Sequence, residues 1–168
     1  GGLVGRTGGT IKNSYWNKDT TGQTQAVGDN SGYRTNVLGL TTAQMFDKNS
    51  FTGFDFDIIW NNADNQTTPY FKHHAGLNSV FNKNDSTTAL YNVIQNIHHL
   101  QGVNNNLGGK YVLGNHIEAV DTVNWNAGQG FRPIGDSSNH FTGKFDGLGY
   151  TVNDLYINRL DTGNVGLF

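Results

Sequence analysis

The chain has 168 residues, of which 23 are Gly, 23 Asn, 2 Pro and none Cys, with a formal net charge of −2. The missing cysteines exclude disulfides and thiolate zinc sites. The 11 scattered Lys and Arg form no basic patch for nucleic acid, and no run of 18 apolar residues is present to cross a membrane as a helix. Gly and Asn tolerate positive φ and build turns, yet 35% apolar and 12% aromatic residues are too many for a disordered tract. Many short strands between tight turns satisfy both facts.

Taken in chain order, residues 1–16 read as strand and turn, with Leu3-Val4, a Gly8-Gly9 corner, Ile11 and Tyr15-Trp16. Residues 17–39 are polar and read as a loop excursion. Thr41-Thr42-Ala43-Gln44 fits a capping box and predicts a short helix near 42–48. Phe51, Phe54, Phe56, Ile58, Ile59 and Trp60 read as an aromatic-rich strand region, followed by a loop over 61–68 that Pro69-Tyr70-Phe71 closes. Polar residues 75–88 mark the best candidate boundary. Leu90 to Ile94 reads as a strand. Asn96 then caps a helix over about 97–106, whose Ile97, Leu100, Val103 and Leu107 fall at near-helical spacing, and Gly108-Gly109 ends it. Tyr111 to Leu113 and Ile117 are strand-like. Phe141, Gly143 and Phe145 alternate with Thr142 and Lys144, as a half-buried strand does. Asp146 to Gly149 makes a turn, Val152, Leu155 and Ile157 point inward around Asn153-Asp154, and Val165 to Phe168 opens another strand.

The chain opens Gly1-Gly2-Leu3-Val4-Gly5 and closes Asn164-Val165-Gly166-Leu167-Phe168, the pattern expected of a piece of a tandem array. Gly2-Leu3-Val4-Gly5 followed by Gly9-Thr10-Ile11-Lys12-Asn13-Ser14-Tyr15 resembles the GLUG repeat of bacterial surface proteins. The segment from Leu40 through Phe51-Thr52-Gly53-Phe54 to Trp60 looks like the close of a block of such repeats. Residues 97–118, then Phe131-Arg132-Pro133-Ile134-Gly135, Phe141 to Gly147 and Leu155 to Asn158, look like the start of the next block. The division is thus 1–75 and 76–168. The resemblance implies large secreted adhesins of the filamentous-haemagglutinin type and an all-β fold, a right-handed parallel β-helix with two short helical excursions. Stacked rungs at roughly 4.8 Å would bury what one rung cannot. The expected core is Leu3, Ile11, Phe56, Ile117, Phe145, Val152, Leu155 and Ile157; the expected exposed loops are 17–38, 61–68 and 78–88.

Candidate chemistry is sparse. The six histidines, His73, His74, His98, His99, His116 and His140, include two adjacent pairs, which diverge on either a strand or a helix. Asp55 and Asp57 would share one face of a strand, a spacing that suits paired acid-base work, but solvent-facing carboxylates beside inward aromatics explain them as well. Asn82-Lys83-Asn84-Asp85 and Asn124 to Gly130 carry oxygens at short spacing that could hold Ca2+, although neither fits a known calcium loop. Asn65-Gln66-Thr67 and Asn84-Asp85-Ser86 are sequons, making Asn65 and Asn84 candidate glycosylation sites. No catalytic residue, cofactor or metal set emerges. The expected role is a structural and adhesive repeat unit, a stalk presenting loops on the outside of a bacterial cell. Its partners would be head-to-tail copies of the same repeat and a surface ligand, with no nucleic acid and no insertion in a membrane. The alternative is a non-catalytic β-helix region of a secreted carbohydrate-active enzyme or peptidase.

Overall fold

The computed structural model describes residues 1–29, 32–72, 76–159 and 165–168, in two compact units, Gly1–His73 and His74–Phe168. The first is built on β1 (Thr10–Asn17) and β2 (Tyr33–Leu40), which pair in parallel from Thr10↔Tyr33 to Asn17↔Leu40. The register passes through a corner. Asn13 and Asn36 both have left-handed φ, 45° and 52°, and Asn36 Nδ2 donates to Asn13 Oδ1 at 3.0 Å. Short polar side chains are among the few that accept this backbone region, so the two strands bend at the same level. Gly53, at φ 88°, passes so near the Asn13 side chain that a Cβ there would lie 2.7 Å from it. A small core of Trp16, Ala26 and Val27 backs the pair, with Ile11 and Val37 against it.

Between these strands, α1 (Lys18–Thr21) makes one helical turn capped by Asn17, whose Oδ1 accepts from the Asp19 and Thr20 amides at 3.0 and 3.2 Å. The Thr41–Gln44 capping box forms in both directions: the Thr41 amide donates to Gln44 Oε1 at 2.9 Å and the Gln44 amide to Thr41 Oγ1 at 3.2 Å. The expected helix is two 3-10 turns, Gln44–Phe46 and Lys48–Ser50. The aromatic stretch is not one strand. Asp55 Oδ1 accepts from the Asp57 and Ile58 amides at 2.9 and 2.8 Å, which folds the chain into a turn. Only Trp60–Asn61 (β3) is extended, antiparallel to Tyr70–Phe71 (β4). The rings instead stack: Phe54 on Trp60 and Trp60 on Phe71, both at 4.3 Å between centroids.

The second unit carries a four-stranded sheet of β5 (Asn78–Phe81), β6 (Leu90–Ile94), β7 (Lys110–Leu113) and β9 (Lys144–Asp146), with β5 antiparallel to β6 and the rest parallel. A second, two-stranded parallel pair joins β8 (Ile117–Glu118) to β10 (Val152–Asn153). Helix α2 (Ile97–Gly102), capped by Asn96 Oδ1 on the His99 amide at 2.8 Å, runs into a 3-10 turn at Val103–Asn105, within the predicted helical span. Period-2 alternation then sorts the sheet. Ile94, Tyr111, Leu113 and Phe145 face a core shared with Ile97, Leu100, Val103, Ile117, Phe131 and Ile134. The residues between them, Tyr91, Val93, Lys110, Val112, Lys144 and Asp146, take the other face.

The β-helix expectation is therefore corrected. Among the described residues the strands form four separate sheets of two to four strands, two of the strand pairs are antiparallel, and no sheet is continuous or closed. Segments 17–38 and 78–88, expected as exposed loops, contribute α1, most of β2, and β5. Of the expected core, Ile117 is fully buried, while Phe145, Val152, Leu155 and Ile157 pack against the same cluster half-buried. Ile11 and Phe56 are also half-buried, and Leu3 is 37% exposed. Val165 to Phe168 starts no strand: the Leu167 carbonyl accepts from the Ile134 amide at 2.9 Å, and the Phe168 ring lies 4.8 Å from that of Phe141.

Candidate functional site

A dense polar constellation lies where the turn between β5 and β6 returns to the second face of the sheet, around a recess of about 480 Å³. At its centre is Asp85, whose side chain is 8% exposed. Its Oδ2 accepts from the Tyr91 hydroxyl at 2.6 Å and faces Lys144 Nζ at 3.2 Å and Lys110 Nζ at 3.5 Å. Its Oδ1 accepts from the Thr87 amide at 2.9 Å. The sheet register explains the convergence: Lys110 and Lys144 are paired neighbours on β7 and β9, and Tyr91 belongs to the adjoining strand β6. Asp146, two residues beyond Lys144 on the same face, accepts from Asn82 Nδ2 at 2.8 Å, Asn84 Nδ2 at 3.3 Å and the Leu148 amide at 2.9 Å. Two carboxylates thus fasten one turn to three strands.

The electrostatics follow from these donors. The Tyr91 hydroxyl, with the Thr87 amide and Lys144, holds the Asp85 carboxyl far below the ordinary carboxylate range. Burial pushes Asp146 upward, but the hydrogen bonds from Asn82, Leu148 and Asn84 outweigh it and leave the group below its usual value. Burial, and then the bond to Asp85, pushes Tyr91 up to about 12. All three groups move away from neutrality, whereas acid-base chemistry needs groups drawn toward it. The cluster is arranged to keep its protonation fixed, as a clasp does. Ca2+ at Asn82 to Asp85 would have to displace two ammonium groups and a phenol from Asp85. Among the described residues no three His, Asp or Glu side chains converge as a metal set.

The other sequence candidates are dispersed. Asp55 and Asp57 lie in a turn, with one Asp55 oxygen taken by two backbone amides. His73 and His74 lie outside the described residues. His116 Nδ1 lies 2.8 Å from Thr151 Oγ1, and His140 Nε2 lies 2.8 Å from the Ser137 carbonyl. His99 Nδ1 accepts from the Gln95 amide at 3.4 Å, and His98 stacks on Trp125 with centroids 4.9 Å apart. Asn65 is half-buried, its Oδ1 accepting from the Lys48 amide at 3.0 Å and Asn62 Nδ2 at 2.8 Å, and Thr67 of its sequon is fully buried. Asn84 is exposed at the rim of the recess. Sequence reading singled out Asn82 to Asp85 but missed Tyr91, Lys110, Lys144 and Asp146 as partners; the shared face of β7 and β9 was the signal that could have found the lysines.

No family model matches the chain, and no solved structure matches it. Two longer proteins are similar to part of it. A provisionally named Gly-rich membrane protein of Evansella cellulosilytica is 36% identical over 95 residues, 54% of this chain and 10% of that protein. Halomucin of Haloquadratum walsbyi is 36% identical over 85 residues, 45% of this chain and 1% of that protein. The match thus spans about a tenth of one relative and about a hundredth of the other. Among the described residues no helix is long and apolar enough to cross a membrane.

Proposed function

We propose that this chain is a structural segment of a much longer, surface-associated protein and works by holding turns in place rather than by catalysis. The observation that carries this reading is its similarity to small portions of two long proteins, one of them named a membrane protein. The Asp85 clasp supports it, since a cluster whose groups are driven away from neutral pKa serves rigidity better than proton transfer. The GLUG-like motifs supply the finer reading: an extracellular segment of a bacterial surface protein, flanked by similar units, presenting exposed turns such as 83–88 for attachment. Repetition then turns individually feeble contacts into avidity.

The test is protease shaving of intact cells that make the parent protein, with mass spectrometry of the released peptides. Peptides from this segment should leave intact cells without lysis. Their release only after lysis would refute the surface reading. Chains of one, two and three tandem units test the flanking contacts, because adjoining units that touch raise the unfolding midpoint with copy number. An unchanged midpoint would make them independent beads.

A further inference from the structure

Trp125 and Asn126, from the stretch Asn124 to Gly130 that the sequence singled out by its oxygens and the clasp leaves unused, line a second groove of about 580 Å³ with His98, Gln101, Asn104, Asn105 and Arg132. We propose that this groove is a binding site for an acidic saccharide, a sugar chain carrying carboxylates. The inference goes beyond the structural role above and does not depend on it.

The groove has a fixed frame. Gln101 grips the backbone of Arg132 twice, its Nε2 donating to the Arg132 carbonyl and its Oε1 accepting from the Arg132 amide, each at 2.8 Å. Asn104 does the same one step on, accepting from the Gly135 amide at 2.9 Å and donating to the Pro133 carbonyl at 3.2 Å. The opposite side is a turn with three successive left-handed residues, Asn126, Ala127 and Gly128, at φ 51°, 56° and 82°. Ala127 gains nothing locally from that conformation. The turn is held by Asn126 Nδ2, which donates to the Gly130 carbonyl at 2.7 Å, and by the Gly130 backbone amide, which donates to the Trp125 carbonyl at 3.0 Å. Backbone outliers kept in place by their surroundings cluster at binding sites.

Within this frame the recognition groups are uncommitted. Trp125 Nε1, the His98 ring nitrogens, the Asn105 amide and the Arg132 guanidinium make no hydrogen bond or ion pair among the described residues. Arg132 forms no ion pair among the described residues, but it does feel Asp136, whose carboxyl is held low first by the Ser138 and Asn139 amides, both at 2.8 Å, and in smaller part by the Arg132 charge. None of the residues lining the groove is acidic, in contrast to the recess around Asp85. The His98 imidazole, backed on one side by the Trp125 indole, offers its outer face to the C–H face of a pyranose. The free amide and indole N–H suit hydroxyls, and a guanidinium is built for bidentate contact with a carboxylate.

The experiment is an NMR titration of the intact chain with trigalacturonate, with the neutral galactose trisaccharide and with sodium sulfate as parallel arms. Trigalacturonate should shift the amides of residues 98–105 and 125–132. The neutral sugar should bind at least tenfold more weakly, and Arg132→Gln should remove most of that difference. Asn105→Ala, at an exposed position, should weaken binding severalfold while leaving the remaining spectrum in place. The proposal is overturned if trigalacturonate shifts nothing in the groove, if the neutral sugar binds as well, if sulfate competes at equal concentration, or if Arg132→Gln leaves the affinity unchanged.

Discussion

Leu100→Ala tests the packing that positions both grooves of the second unit. Leu100 is 0% exposed and projects from α2 into the cluster that includes Ile94, Leu113, Ile117, Phe131 and Ile134. The substitution removes three buried carbons, and at about 0.8 kcal/mol per methylene the transfer loss alone is about 2.4 kcal/mol. The residual cavity adds to this, since a close-packed interior collapses only partly, and Leu→Ala changes in cores span about 2–5 kcal/mol. The better helix propensity of Ala returns only a few tenths of that. The expected net loss is about 3 kcal/mol, a large share of the ~5–15 kcal/mol that holds a domain together. Leu90→Ala is the control: Leu90 lies on the adjacent strand β6 but is 54% exposed, and its loss should stay within about 0.5 kcal/mol. Urea unfolding followed by far-ultraviolet circular dichroism, with slopes compared between variants, measures both. If Leu100→Ala loses less than about 1 kcal/mol, or Leu90→Ala loses as much, the packing of α2 on this core is wrong.

Asp85 and Asp146 are both held below the ordinary carboxylate pKa, so their contribution to stability is present above the unfolded value of about 3.9 and is lost as pH falls through the folded values. Acid unfolding should therefore steepen below about pH 4, and Asp85→Asn should flatten that slope and speed hydrogen exchange in residues 82–88. Tyr91, pushed up to about 12, should ionise late in an ultraviolet titration and earlier in Asp85→Asn; an unchanged titration would sever it from the clasp. Thr67 carries a fully buried hydroxyl with no hydrogen-bond partner among the described residues, so Thr67→Val should raise stability by about 1 kcal/mol in thermal unfolding, and a loss of that size would reveal a partner. Gly130, at φ 80°, lies so close to the Tyr156 carbonyl that no Cβ fits; Gly130→Ala should destabilise by more than about 1 kcal/mol.

What the sequence exposed was local. The Asn96 cap, the Thr41–Gln44 box and the Leu90–Ile94 strand are each defined by residues within a few positions, and their chemistry acts over that distance. Direction and pairing were not legible. A repeated glycine-apolar motif reports strand length, but nothing in Asn78-Ser79-Val80-Phe81 announces that it pairs antiparallel with Leu90 to Val93. The aromatic run from Phe51 to Trp60 had the composition of a strand, and one carboxylate, Asp55, capping two amides converted it to a turn. The clasp was hidden for a related reason. Its two lysines lie 25 and 59 residues beyond Asp85, and only the register of β7 on β9 sets them side by side.

The shared corner of β1 and β2 makes Asn13 and Asn36 a single unit of inheritance. Each bends its own strand, and together they keep seven residue pairs aligned on both sides of the bend. A β-branched residue at either position would straighten one strand while its neighbour still turned, setting the pairs beyond the corner against each other. A lone change therefore carries the penalty of both positions, and a matching change in the partner recovers part of it. Drift at this corner is confined to paired steps, or to the few residue types, Gly and Asp among them, that accept a left-handed backbone without asking the other strand to move.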